Sequence, residues 1–246
     1  MKYILILPGI SLLCLMVFVI TSSYKRTLKN EIPTTSPPPT PPPLPQHFFF
    51  SRDNFASILQ TLNFTIGAEL GVQSGLYSEQ ILRHWPSCTL FYLIDIWKPQ
   101  ENYFDGANVP QNLQDQAYDN TLRRLSPFKN KTKVLRMLTT DAAKFIPDDS
   151  LDFIYIDARH DYCGVMEDLE NYYPKLKLNG ILAGHDYKTA AEVKLADSSQ
   201  DWAVCANGTR HEGAVKGAVD DFRNKMNITS KLYITNECWA SWLFFK

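Results

Sequence analysis

The sequence predicts an α/β fold, with a seven-stranded, mostly parallel sheet, helices on both faces and an antiparallel hairpin at the C-terminal end. Two observations predict it. From about residue 66, short apolar runs alternate with amphipathic stretches, as in chains that cross over a parallel sheet. The last two apolar runs are instead separated by only a few residues, too few for a crossover but enough for a hairpin.

The first strand is expected at Ile66 to Gly71, apolar apart from Glu69 and running into Gly71-Val-Gln-Ser-Gly75, which allows a tight turn into a helix over Ser74 to Trp85. Further strands are expected at Leu90 to Ile94, Lys133 to Met137, Leu151 to Ile156 and Gly180 to Ala183. Helices fall at Leu113 to Leu125, Val165 to Tyr172 and Gly213 to Met226. Lys231 to Thr235 and Ala240 to Phe245 form the hairpin. Two connections stand out. Trp97 to Val109 is rich in aromatic and polar residues, and Lys188 to Glu212 is too long for a simple link and reads as a lid or substrate loop.

The chain of 246 residues carries 25 Lys+Arg against 26 Asp+Glu, a net charge of -1, which gives no bulk attraction to polyphosphate. No basic stripe interleaves with aromatics, so nucleic acid is excluded as a main partner. Tyr3 to Ile20 is an uncharged apolar run, long enough at about 1.5 Å per residue to cross a bilayer. Pro33 to Pro45 holds eight of the fifteen prolines and must be extended polyproline II. The expected organisation is a signal anchor or signal peptide over residues 1–23, a stem over 24–47 and one folded domain over 48–246.

Lys25, Arg26 and Lys29 after the apolar run would, by charge counting, keep the bulk of the chain in the cytosol. Four N-x-S/T sequons (Asn63, Asn130, Asn207, Asn227) and the cysteines Cys88, Cys163, Cys205 and Cys238 point instead to the secretory lumen, with glycans and disulfides. The four cysteines allow three pairings. They offer no C-x-x-C or close Cys/His pair for a structural metal.

Open α/β sheets bind ligands at the carboxyl ends of their strands, so residues there carry the functional information. The G-x-x-x-G turn at Gly71 and Gly75 matches neither the dinucleotide fingerprint nor the phosphate loop. Asp95, ending the second strand, can accept hydrogen bonds from both ribose hydroxyls of a nucleoside. Glu69 should reach the crevice edge. A glycosyltransferase, suggested by the anchor and stem alone, lacks any D-x-D motif.

E-L-G-V-Q-S-G, then L-I-D, then a terminal hairpin resembles the Rossmann-like class I S-adenosylmethionine-dependent methyltransferases. Ile156-Asp157-Ala-Arg-His160-Asp-Tyr162 and Ala183-Gly-His185-Asp186-Tyr187 are similar to the I-D-x-x-H-x-Y and A-G-H-D-Y segments of a group of small domains in that family. The resemblance implies that Glu69, Gly71, Ser74 and Gly75 line the methionyl and ribose part of the cofactor. It also implies that Asp95 holds the ribose and that Asp141 sits by the adenine. Asp157, His160, His185 and Asp186 become the catalytic candidates for methylating a hydroxyl of a sugar or other small polar acceptor. His160 or His185 would act as general base, or Asp157 and Asp186 would hold Mg2+. His185 stands where the clearest metal-dependent relatives carry a second Asp. A non-catalytic relative retaining the fold as a scaffold is the alternative.

Overall fold

A computed structural model describes residues 51–246; the apolar run and the Pro-rich stretch, and with them the expected anchor and stem, lie outside the described residues. Among the described residues, no helix is long and apolar enough to cross a membrane.

The elements in chain order are α1 (Phe55–Thr61), β1 (Ile66–Leu70), α2 (Leu76–His84), β2 (Leu90–Asp95), α3 (Gln111–Leu125), β3 (Thr132–Arg136), the short α4 (Thr139–Ala142), β4 (Leu151–Ile156), α5 (Tyr162–Tyr172), β5 (Leu176–Gly184), α6 (Ala190–Ala196), α7 (Ala214–Lys225), β6 (Tyr233–Ile234) and β7 (Trp242–Phe245). The seven strands form one sheet in the order β3-β2-β1-β4-β5-β7-β6. β1 to β5 run parallel, and β7 is antiparallel to both β5 and β6, as the terminal hairpin requires.

Alternation along the strands divides the core. Phe91, Leu93, Phe153 and Tyr155 pack with α1 and α2, whereas Ala68, Leu70, Ile154 and Ile156 face α5 and α7. The six residues of β4 are all buried, which explains why Leu151 to Ile156 reads as a continuous apolar run: both faces are covered.

Beyond α1 and the short α4, which were not among the expected helices, two elements differ from expectation. β5 begins at Leu176 rather than Gly180, because its register with β4 jumps from Leu151↔Leu176 to Phe153↔Ile181. The extra residues bulge, with Asn179 left-handed at φ 62, and Lys177-Leu-Asn179 masks the strand in sequence. The long connection after β5 is not one loop: Thr189 and Glu192 form a reciprocal capping box that starts α6. The remainder is docked rather than open, with Trp202 and Ala203 buried and Asp201 bridged to Phe104.

Of the four cysteines, Cys163 and Cys205 form a disulfide between the start of α5 and this connection. Cys88 is free and buried, and Cys238 is free and exposed.

Candidate active site

The strand order reverses between β1 and β4, so the turns after them diverge and leave a crevice. A cavity of about 480 Å³ fills it, lined by Glu69, Gly71, Ser74, Asp95, Asp157 and His160 among others. That size suits a ligand of nucleoside-plus-amino-acid dimensions.

Gly71 is required by the fold there. Its φ is +86°, and a Cβ would lie 1.9 Å from the Asp157 carbonyl oxygen. Gly75, left-handed at φ 73, is the N-cap of α2 and packs on Thr121 behind the cavity. Between them the Val72 and Gln73 N–H groups donate to Asp95 Oδ2 (3.0 and 2.8 Å), and the Trp97 N–H donates to Oδ1 (2.7 Å). Asp95 therefore ties the first turn to the second strand end while still lining the cavity. Burial raises its pKa against these three donors.

Glu69 is buried and accepts a 2.6 Å hydrogen bond from the Ser78 hydroxyl. Burial pushes its carboxyl up to about 8, so it is neutral in the ligand-free protein at pH 7. Asp168 on α5, also in the cavity wall, is pushed up to about 7 by the same cause. Asp141 stands apart: it is half exposed on α4 and pairs with Lys144 at 2.7 Å, while its neighbours Leu138, Thr139 and Thr140 line the cavity.

The second cluster sits at the ends of β4 and β5. His160 is buried and faces three carboxylates. Its Nδ1 is 2.9 Å from Asp105 Oδ2 and 3.1 Å from the Tyr103 hydroxyl; its Nε2 is 3.3 Å from Asp157 Oδ1 and 3.4 Å from Asp186 Oδ2. Trp202 packs on the ring at 4.3 Å. Burial works against the imidazolium, but the carboxylates outweigh it and hold the His160 pKa well above the usual histidine range. Asp157 is held low in return: burial opposes its charge, and His160, His185 and Arg52 outweigh that.

His185 Nδ1 lies 3.0 Å from Asp186 Oδ1 and 3.8 Å from Asp157 Oδ1. Asp186 is left-handed at φ 58, as are Gln73 at φ 51 and Trp97 at φ 44, so three of the left-handed non-glycine residues follow the strand ends that frame the site.

Asp157, His185 and Asp186 each offer a donor atom within 4.8 Å of the others. This set does not fit magnesium, which takes oxygen ligands: one donor is an imidazole nitrogen, and His160 and Arg52 already face the carboxylates. S-adenosylmethionine is a better match. Carboxylates in the wall suit a sulfonium and ribose hydroxyls, and the buried Tyr77 hydroxyl in the same wall has no hydrogen-bond partner.

Sequence reasoning missed Asp105, Tyr103 and Arg52. The first two lie in the Trp97 to Val109 connection, flagged only as a region. Arg159 fixes that loop, stacking over Tyr103 at 4.7 Å and pairing with Asp161 at 2.5 Å.

Residues 68–187 match the model of a methyltransferase domain family. An uncharacterized protein of Sinorhizobium fredii is 28% identical over 96 residues, 39% of this chain; the match spans a tenth of that relative's length. The O-methyltransferase NovP superposes with a TM-score of 0.53 at 17% identity, covering 79% of this chain and 77% of its own. An O-methyltransferase from Bacillus cereus, in complex with S-adenosylhomocysteine, superposes with a TM-score of 0.51 at 11% identity, covering 98% and 94%. The domain match covers just under half of the chain, and the likeness to the two solved structures is one of fold, the same α/β architecture.

Proposed function

We propose that this chain is an S-adenosylmethionine-dependent O-methyltransferase that acts on a hydroxyl of a sugar or another small polar acceptor. One observation carries the reading. Asp157 and His160 line a cavity whose other wall is the Gly71 turn and Asp95, and behind them His185 and Asp186 complete an acid–base cluster at the ends of β4 and β5.

When bound, the donor supplies a methyl group on a sulfonium, which the acceptor oxygen displaces in line, forming C–O as C–S breaks. The protein holds the partners in line and removes the hydroxyl proton. Caged by three carboxylates, His160 keeps its own proton and balances their charge. His185 takes the acceptor proton: Asp186 faces its Nδ1, leaving Nε2 as the accepting nitrogen. No step requires a metal.

The secretory lumen is the proposed compartment, with the N-terminal apolar run as membrane anchor. All four sequon asparagines are exposed on the folded domain, and the Cys163–Cys205 disulfide suits an oxidising compartment.

Calorimetric titration with S-adenosylmethionine and S-adenosylhomocysteine, with and without magnesium, tests the donor half. Saturable micromolar binding independent of magnesium is expected, followed by an acceptor screen beginning with glycans. Asp95→Ala should abolish donor binding, whereas His160→Ala should spare binding and lower turnover. Equal loss of binding in both variants would sink this division of roles, and no binding to the wild type would favour a scaffold.

A further inference from the structure

One residue of the cavity wall, Arg52, precedes every strand. Ser51 caps a single tight turn, Arg52–Asn54, which leads into α1, and Phe55, Ala56, Ile58 and Leu59 of α1 are buried in the core. Glu237, in the connection between β6 and β7, holds this turn. The Ser51 hydroxyl donates to its Oε1 (2.8 Å), the Arg52 N–H donates to Oε2 (3.1 Å), and the Thr235 hydroxyl donates to Oε2 (2.9 Å).

The clamp puts the Arg52 side chain into the cavity wall beside Glu69, Ser74 and Tyr77. Its guanidinium is 5.0 Å from the centre of the Tyr77 ring and 3.6 Å from Asp157 Oδ2, and it also interacts with the Tyr155 hydroxyl. The Asp157 contact is long and single, so the fork of N–H donors is not saturated by a bidentate partner. The side chain is 31% exposed, open to a ligand on one side.

Lys98 and Arg159 also line the cavity, Lys98 just after β2 and Arg159 turned toward Asp161 and Tyr103. Among the described lining residues, Arg52 is the cation that meets Tyr77 and Asp157, whose carbonyl abuts Gly71. A donor whose ribose lay at Asp95 would meet Arg52 if its amino-acid end ran past the Gly71 turn, which abuts the backbone of Asp157, the residue that Arg52 contacts. The Tyr77 hydroxyl there, buried and without a partner, marks an unmet polar need in the same wall.

We propose that Arg52, supported by Ser74 and Tyr77, binds the α-carboxylate at the amino-acid end of the methyl donor. The inference rests on the donor reading above and deepens it. The chain immediately after the Pro-rich stretch then supplies part of the donor site.

Calorimetry on the full-length chain compares S-adenosylhomocysteine with 5′-methylthioadenosine, which keeps the nucleoside thioether and lacks the amino acid. Arg52→Ala should weaken S-adenosylhomocysteine by about ten- to a hundredfold, as loss of a charge-assisted pair does, and change methylthioadenosine by less than about twofold. Arg52→Lys should restore part of the loss. Methylthioadenosine binding also reports that the variant is folded. Equal weakening of both ligands, or unchanged S-adenosylhomocysteine affinity, overturns the assignment while leaving the donor reading intact. A wild-type chain that binds neither ligand overturns both.

Discussion

Glu69→Gln isolates the energetic cost of placing a carboxyl under the first turn. In the folded protein burial holds the Glu69 pKa at about 8, against an ordinary value of 4.5. The folded state therefore keeps this proton over a range in which the unfolded chain has released it. Stability is unaffected below the ordinary carboxylate range, falls as pH rises, and levels off above the folded pKa. Each pH unit in that window costs about 1.4 kcal/mol, so the loss between about pH 5 and pH 8 is roughly 3–4 kcal/mol. Glutamine keeps the shape and can still accept the Ser78 hydrogen bond, but it does not titrate. Urea unfolding of both proteins across this range is the assay. The Gln variant should match the wild type near pH 5 and exceed it by roughly 3–4 kcal/mol at about pH 8. Asp168 titrates in the same direction in both proteins and cancels in the difference. Parallel stability curves would refute the reasoning, since they would mean that Glu69 is solvated or already ionised in the fold.

Three further predictions follow from single contacts. Gly71→Ala combines a left-handed φ with a Cβ forced against the Asp157 carbonyl; it should cost about 2–5 kcal/mol, and an unchanged melting temperature would count against the tight β1–β4 approach. Replacing Cys163 and Cys205 together by Ser opens a crosslink of sequence separation 42, worth up to about 4 kcal/mol, so the melting temperature should fall by roughly 5–15 °C. An undisturbed melting curve would show that the connection holding Trp202 is fixed by packing alone. Asp105→Asn removes one of the three carboxylates around His160, so the imidazole pKa should drop, as followed by NMR titration. A rise would contradict the charge arrangement.

The fold was legible because its determinants are local. Apolar runs such as Leu151 to Ile156 record burial on both faces, and Gly71 and Gly75 sit where φ must be positive. The strand-end residues Asp95, Asp157, His160, His185 and Asp186 were legible for a related reason: the chain direction puts every strand's carboxyl end on one edge, so position along the strand predicts position in space. Asp141 shows where that logic weakens. It follows β3 by several residues, by which point α4 has turned its side chain toward Lys144 and left Leu138 to Thr140 at the cavity.

The groups not legible in sequence reach the site from outside the strand ends. Asp105 meets His160 across 55 positions, through a loop fixed by Arg159, and no periodicity marks which of its residues turns inward. Arg52 meets Asp157 across a longer separation still, and its position depends on Glu237, from the other end of the chain. Such contacts exist only once the sheet has closed, because each is made by a segment with little secondary structure of its own lying on a surface that strands from distant parts of the sequence build together. The division has a functional reason. The strand ends set the chemistry common to any ligand in this crevice, whereas the segments laid across them, Ser51–Asn54 and the Trp97 to Val109 connection, decide which charges meet that ligand. Changes in those segments should therefore alter specificity while leaving the sheet intact.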